Sequence, residues 1–437
     1  MQKVIGFVPI LGWLPKYNWR ANIIIDLLAG INVATMHVPQ SMAYATLALL
    51  PPVYGLYTSV WPSFTYAIFG TSMHVSIGTF AVASLLVGQS SQKFIGDDNS
   101  LLQWAQTHEH ANITMNNASL LHEVLEDARG ARRIEITLTL TFLVGIVQIL
   151  MGLFRLGFIS AYLSDQLVAG FTTGAAVHVF SSQFGSMLNV KQPEYGGPFA
   201  LYYIYRDLIT ELAAGNVCAC GSYVYIPILQ ASYITVLMWL CTSIVLGIGK
   251  YIINPRVQPR IHFAIPFELI VVIIGTAVSY SIGMHGTFES CVTRADLHKS
   301  YHVKIVDVIP IGIPPLRVPD FAMMPRLIED SIGIAIVSFV LTLSLAKLFA
   351  KKAGYRIDAN QEPYAYGFTN VIISFLSGYV ACASLARSAI LFDQQPRSNL
   401  ATIFTAVLLL IVVLFLSFLF EHLPMCVLSS IVMVALK

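Results

Sequence analysis

The stretch "SGYVACASLARSAILF", residues 377–392, places one arginine in a segment that is otherwise small and apolar. About eighteen mostly apolar residues precede Arg387, counting from Phe368. A guanidinium stays protonated in proteins, so its charge must be satisfied where it lies. Charged residues inside membrane segments are rare and mark functional sites by default. The arginine therefore predicts either an anion-binding site or a buried ion pair.

The composition predicts a polytopic membrane protein. The chain has 437 residues, of which 56% are hydrophobic and 11% charged, and its mean hydropathy is +0.71. A soluble domain carries about 25% charged residues. The formal net charge of +2 gives no indication of a nucleic-acid partner, and the six cysteines lack metal-ligand spacing. Because no HExxH or GxSxG motif occurs, we expect neither an enzyme nor a cofactor.

Hydropathy predicts an all-α architecture of twelve membrane segments, since a spanning helix needs about 20 apolar residues. Two of the segments, 79–92 and 386–393, are too short to span. The amphipathic stretch 198–214 is expected to lie at a membrane surface or to re-enter the membrane. The predicted full spans are 21–48, 52–70, 134–154, 158–188, 224–250, 266–283, 328–351, 360–378, 398–420 and 423–436.

Glycosylation sequons predict the orientation. Asn112 and Asn117 each begin an Asn-x-Ser/Thr triplet in the polar loop 94–133, which should face outside. An N-terminus on the inner side places that loop outside after three crossings, and most basic loop residues then lie inside. Arg129, Arg132 and Arg133 are exceptions to this positive-inside pattern.

A weak internal symmetry relates two spans that cross in opposite directions. Asp26 opens one and Asp330 opens the other, and aligning them places Gln40 opposite Ser344. Each span is followed later by one of the short segments. Paired broken helices in inverted halves are the best sequence indication of a transporter site at the midplane.

Two short helices that begin at mid-membrane would leave free N–H groups and positive dipole ends facing each other. Such ends bind anions, and Arg387 in the first turn of the second helix would add a full charge. The alternative is a structural arginine paired with a carboxylate, for which Glu268 is the candidate. Glu268 follows Pro266 near a helix start, where structural and proton-coupling roles both remain open.

Several motifs resemble the sulfate permease family of anion exchangers, and the resemblance extends over nearly the whole chain from about residue 13. It implies two inverted seven-segment repeats, about 21–283 and 328–437, arranged as core and gate domains after a cytosolic segment 1–20. It also implies anion transport by an elevator-like movement of the core. The motifs are "PPVYGLYTSVWPSFTYAIFGTSMHVSIGTFAV" (51–82), "LVAGFTTGAAVHVF" (167–180), "IVSFVLTLSLAK" (336–347), "GYRIDANQE" (354–362) and "LPMCVLSSIVMVALK" (423–437).

The resemblance also implies an anion site, in which aromatic and apolar residues would desolvate one face of the anion. Without the resemblance, Tyr44, Phe80 and Leu341 are best interpreted as core packing. The family often has serine at the position of Ala386, and its sulfate-specialised members tend to have lysine at that of Arg387, which favours small or mixed anions here. The implied site residues are Gln40, Tyr44, Phe80, Leu341, Leu385, Ala386 and Arg387.

The functional expectation is a secondary active anion exchanger of the plasma membrane, for sulfate, chloride, bicarbonate, oxalate or iodide. The alternatives are an uncoupled anion channel and a prestin-like voltage-driven motor. The family pattern continues past Lys437 with two more spans and a cytosolic regulatory domain. We therefore expect a fragment or short form with 12 of 14 segments, retained inside the cell and inactive. Family homodimers rely largely on those missing parts, which argues against a stable dimer of this chain.

Overall fold

A computed structural model of the chain shows a helical membrane protein. Among the residues it describes, five helices are long and apolar enough to cross a bilayer, which confirms the expected class. The described residues are 7–96, 100, 101, 104, 118–158, 165–188, 200–214, 229–261, 265–282, 303–306 and 312–435.

Fourteen helices of at least eight residues and one two-stranded ladder make up the described part of the chain. The helices are α1 (Trp19–Leu47), α2 (Pro52–Phe69), α3 (Ala81–Phe94), α4 (Ala118–Leu153), α5 (Asp165–Leu188), α6 (Ala200–Ala214), α7 (Leu229–Ile248), α8 (Asn254–Ile261), α9 (Phe267–Ile282), α10 (Met324–Ala353), α11 (Glu362–Phe375), α12 (Leu385–Asp393), α13 (Leu400–Ile411) and α14 (Met425–Ala435). The strands are β1 (Ile77–Gly78) and β2 (Cys382–Ala383).

Local sequence explains several helix ends. The side chain of Asn18 accepts a hydrogen bond from the backbone N–H of Ala21 and so caps the start of α1. Helix α10 ends at Gly354, which adopts a left-handed conformation with φ of 76°. Glycine adopts that conformation without the steric cost that a Cβ imposes.

The prediction of a polar loop over 94–133 is wrong in its second half, because α4 begins at Ala118. Ion pairs at helical spacing stabilise this polar extension, joining Arg129 to Glu126 and Arg132 to Glu135. Hydropathy alone missed it, since a polar helix that projects beyond the apolar layer gives no hydrophobic signal.

The arginines that break the positive-inside pattern bind polar groups at this end of the molecule. Arg133 donates 2.6 Å to the side-chain oxygen of Gln92 and 3.4 Å to the backbone carbonyl of Leu49. Arg132 also lies 3.8 Å from the carboxylate of Asp320. These contacts give the exceptional arginines a structural role.

The described helices pack in two groups. Helices α1–α4 and α10–α13 contact one another extensively, above all α4 with α10 and α11, and α1 with α2 and α13. Helices α5, α7, α9 and α14 form the second group. The groups meet where α1 packs against α9 and α14, and where α3 packs against α5.

Two short helices within the first group each follow an extended segment. Helix α3 has 14 residues and α12 has nine, so the two half-length segments of the sequence analysis are confirmed as helices. Just before them, β1 and β2 pair antiparallel, with Ile77 opposite Ala383 and Gly78 opposite Cys382. The ladder brings the starts of the two helices together.

Candidate functional site

Among the residues that the structure describes, no side chain caps the start of either short helix. The N-cap residues are Phe80 and Ser384, and both have extended backbone conformations. The first helical hydrogen bonds run from Ser84 to the carbonyl of Phe80 and from Ser388 to the carbonyl of Ser384, each 2.9 Å. The N–H groups between these residues are therefore not used by the helices themselves.

Six backbone N–H groups are thus available where the helices start. Within the described residues, no acceptor is found for the N–H groups of residues 81–83 and 385–387. Ala81, Val82 and Ala83 are buried. Free N–H groups at a helix end are ordinarily satisfied by side chains, water or a ligand, so these groups are available to bind one. Two such ends carry partial positive charge that favours an anion.

Arg387 lies in the first turn of α12 and is fully buried. One terminal nitrogen donates 2.9 Å to the side-chain oxygen of Gln40 on α1, and the other donates 2.7 Å to the backbone carbonyl of Thr79. The Nε–H group of Arg387 and the hydroxyl of Thr79 have no hydrogen-bond partner among the described residues. The arginine thus joins three segments and retains donor capacity.

Gln40 connects the arginine to Tyr44. Its side-chain nitrogen donates 3.1 Å to the hydroxyl of Tyr44, one helical turn later on α1. Both residues are buried, and Tyr44 belongs to the apolar cluster that includes Ala81 at the start of α3. The structure therefore brings Gln40 and Tyr44 beside the starts of both short helices.

Phe80 and Leu341 meet in an apolar cluster that includes Ala83 in the first turn of α3. Leu341 on α10 packs with Ala83 and Cys382, and Phe80 and Val337 pack against this cluster. An apolar wall beside unpaired N–H groups lowers the local dielectric and strengthens their electrostatic effect.

The remaining predicted residues differ in exposure. Leu385 begins α12 and is 52% exposed, so it forms no part of the apolar wall. Ala386 is half-buried beside it. The second helix start is therefore open on one side, whereas the first is buried.

Arg387 does not pair with Glu268. Within the described part of the chain, no ion pair joins Arg387 to any carboxylate. Glu268 lies in the first turn of α9, in the other packing group. The buried-ion-pair alternative is thus not realised in this conformation, and the arginine is satisfied by neutral oxygens.

Three residues at the site were not assigned a role from the sequence. Thr79 supplies the carbonyl that Arg387 binds. The imidazole of His37 on α1 packs against Gly78, where a Cβ atom would lie 2.5 Å from its Cε1. The same Cβ position is 3.5 Å from a terminal nitrogen of Arg387. No sequence motif signals these contacts, because they depend on the pairing of β1 with β2.

Two further expectations from the sequence concern the glycosylation sequons and metal binding. Asn112 and Asn117 lie outside the described residues. Within the described ranges, no group of three or more His, Cys, Asp or Glu residues could hold a metal ion.

Comparisons with known proteins agree with this architecture. The sequence profile described as the sulfate permease family matches residues 23–437. Prestin from Danio rerio is 38% identical over 433 residues, covering 99% of this chain and 53% of the relative. A sulfate transporter from Ovis aries is 34% identical over 436 residues, covering 99% of this chain and 54% of the relative.

A solved structure of an anion transporter shares this fold. The murine Solute Carrier 26 family member A9 anion transporter, in an inward-facing state, superposes with a TM-score of 0.80 at 30% identity. The alignment covers 100% of this chain and 63% of the solved one. The chain spans about half the length of the curated relatives it matches. It is a multi-pass membrane protein that belongs to the sulfate permease family.

Proposed function

We propose that the protein is a secondary active anion transporter that binds its substrate where α3 and α12 begin. The observation that supports this most is the fully buried Arg387 beside six N–H groups that have no acceptor among the described residues. Membership of a permease family also supports transport over enzymatic activity.

The electrostatics favour an anion over any other ligand. Each helix start contributes about 0.3–1 kcal/mol of stabilisation to a nearby negative charge, and up to about 2 where the site is partly buried. A hydrogen bond to a charged group contributes about 1.5–3 kcal/mol. Arg387 supplies a permanent charge without a carboxylate partner in the described residues.

The substrate class follows from the same groups. Dipoles and one arginine provide donors without acceptors, which suits small inorganic or organic anions such as chloride, bicarbonate, sulfate and oxalate. Phe80 and Leu341 would desolvate one face of the anion, and the open side at Leu385 would admit it. Gln40 and Tyr44 would hold Arg387 in place from α1. Within this proposal Ala386 contributes only its backbone N–H.

Transport requires the site to reach both sides of the membrane. The helices that bear the site belong to one packing group, and helices α5, α7, α9 and α14 belong to the other. We assign these groups to the core and gate domains of an elevator mechanism, in which the core moves against the gate. Glu268 lies in the first turn of α9, which packs against α1, and is a candidate for coupling.

The test is anion flux through protein that is purified in a full-length context and reconstituted in liposomes, with and without anion on the opposite side. Radiolabelled sulfate and iodide serve as probes. An exchanger accelerates tracer uptake severalfold when unlabelled anion is present on the other side. A channel shows uptake that follows the electrochemical gradient and ignores the trans anion. Failure to transport or bind any of chloride, iodide, sulfate, bicarbonate or oxalate would contradict the proposal.

A further inference from the structure

The extended segment before α12 is buried, and its backbone needs hydrogen-bond partners. Residues 379–384 are each at most 4% exposed. In a membrane protein, non-helical backbone at this depth is tolerated only where its polar groups are satisfied. The way these N–H groups are satisfied also decides where α12 begins.

One edge of the segment pairs with the approach to α3. Gly78 lies opposite Cys382 and Ile77 opposite Ala383 in the antiparallel ladder. The backbone N–H of Ser384 donates 3.2 Å to the carbonyl of Ser76, which extends the pairing by one residue. This edge therefore has backbone partners.

Side chains, not a third strand, cover the opposite edge. The N–H of Tyr379 donates 2.9 Å to the hydroxyl of Thr58 on α2. The N–H of Ala381 donates 2.9 Å to the side-chain oxygen of Asn370 on α11. The N–H of Ala383 donates 3.1 Å to the hydroxyl of Thr342 on α10. All three acceptor side chains are buried.

These three acceptors follow the period of a strand. They bind every second residue of the segment, as a neighbouring strand would, because alternate N–H groups of an extended chain point to opposite edges. Each acceptor comes from a different helix. The segment is therefore held at three heights by three independent elements.

The amide of Asn370 is itself held in one orientation. Its nitrogen donates 2.8 Å to the side-chain oxygen of Gln148 on α4, and the nitrogen of Gln148 donates 2.9 Å to the hydroxyl of Ser338 on α10. A flipped Asn370 amide would place its nitrogen against the N–H of Ala381 and its oxygen against the side-chain oxygen of Gln148. Neither hydrogen bond could then form unless Gln148 also reoriented. The relay therefore keeps the acceptor oxygen directed at the segment.

We propose that Thr58, Asn370 and Thr342 are positioning residues for the anion site. They fix the register of residues 379–383, and so the place where α12 begins. Arg387 follows Ala383 by four residues, so displacement of the segment moves the guanidinium away from Gln40 and the carbonyl of Thr79. A register change of one residue would turn every side chain of the segment to its other face.

This inference rests on the proposed function, because its readout is anion affinity. The test compares two isosteric substitutions in the whole protein. Thr342→Val removes the hydroxyl that accepts from Ala383 and keeps the side-chain volume. Thr137→Val is the matched control, because Thr137 is equally buried on α4 and its hydroxyl has no hydrogen-bond partner among the described residues. Thr342→Ser keeps the hydroxyl and serves as the rescue.

Each variant is purified, its melting temperature is recorded, and its half-saturating concentration for radiolabelled iodide and sulfate is measured in liposomes. We expect Thr342→Val to raise the half-saturating concentration about fivefold or more, since an orphaned buried donor is costly. Thr137→Val and Thr342→Ser should stay within about twofold of the unsubstituted protein. Thr58→Val, which acts on Tyr379 from α2, should change affinity in the same direction.

The outcomes separate the possible failures. Absence of transport by the unsubstituted protein counts against the proposed function, not against positioning alone. Folded Thr342→Val and Thr58→Val proteins with unchanged affinities and anion preference would overturn the positioning role. If neither valine variant folds while Thr137→Val does, the hydroxyls serve folding only and the proposal is rejected.

Discussion

The guanidinium of Arg387, on the second short helix, donates a hydrogen bond of 2.7 Å to the carbonyl of Thr79, just before the first. This bond crosses from one half of the sequence to the other, over 308 residues. The charge that would attract an anion therefore also holds the two helix starts together. Substitutions at Arg387 consequently act on binding and on the arrangement of the site, and experiments must measure both.

Replacing Arg387 should weaken anion binding more than it reduces the amount of protein. In a full-length context, we expect Arg387→Gln to raise the half-saturating anion concentration at least about tenfold, which corresponds to about 1.4 kcal/mol. Arg387→Lys keeps the charge and loses the planar fork, so it should change the order of preference among anions more than the total flux. Surface biotinylation and tracer uptake on the same cells measure both effects.

Two results would contradict a role for Arg387 in anion binding. If the glutamine variant reaches the surface at normal levels and retains its apparent affinity for every anion tested, the arginine does not bind substrate. If both variants fail to reach the surface and the residual protein binds normally, its role is structural.

The close approach of His37 to Gly78 predicts that a single methyl group disrupts the site. In Gly78→Ala, the added Cβ would lie 2.5 Å from Cε1 of the imidazole. Overpacking of this kind costs about 1–3 kcal/mol, so we expect a lower melting temperature and weaker anion uptake. Gly333→Ala on α10 is the control, because a Cβ there meets no atom within 4 Å.

A double substitution tests the cause of that effect. His37→Ala removes the atoms that the new methyl group would meet, so the pair Gly78→Ala and His37→Ala should recover stability relative to Gly78→Ala alone. Purely additive losses in the double variant would show that the clash is not responsible.

The buried carboxylate of Asp26 predicts a stability effect away from the anion site. It accepts hydrogen bonds from the hydroxyl of Tyr17 at 2.8 Å, the backbone N–H of Arg397 at 2.6 Å and the hydroxyl of Ser398 at 2.8 Å. Hydrogen bonds to a charged group contribute about 1.5–3 kcal/mol each. Asp26→Asn should therefore lower the melting temperature of the purified protein by several degrees.

The control for Asp26 is Asp330, a carboxylate whose side chain is 18% exposed and not fully buried. Asp330 pairs with Lys93 at 3.1 Å, and the lysine side chain is 55% exposed. Exposed pairs contribute about 0–1 kcal/mol, so Asp330→Asn should change the melting temperature little. If both substitutions lower the melting temperature equally, the hydrogen bonds of Asp26 contribute no more stability than the ion pair of Asp330.

The sequons predict glycosylation on the outer side of the membrane. We expect endoglycosidase to lower the apparent mass, and the combined substitution Asn112→Gln with Asn117→Gln to abolish that change. Anion affinity should remain as before, since the predicted topology places both sequons in a polar loop outside the membrane, away from the proposed site. An epitope inserted near Asn117 that stains only permeabilised cells would reverse the assigned orientation.

The sequence by itself determined the class of fold and singled out the candidate site residues. Its apolar segments predict membrane helices because the bilayer excludes unpaired backbone groups, and Arg387 is conspicuous because charge is costly there. The short segments 79–92 and 386–393 are close to the observed α3 and α12. The start of α4 at Ala118 was missed, because its first turns are polar and hydropathy measures only burial in lipid.

Tertiary structure alone decided what Arg387 contacts. The sequence could propose Glu268 as a partner, since both are charged, but partners depend on which segments become neighbours. Pairing of β1 with β2 brings Thr79 to the guanidinium, and packing of α12 against α1 brings Gln40 to it, so neutral oxygens satisfy the charge. Thr58, Asn370 and Thr342 likewise became acceptors only through packing. Hydrophobic periodicity records which residues are buried, whereas hydrogen bonds between residues hundreds of positions apart depend on directions that only the packed helices define.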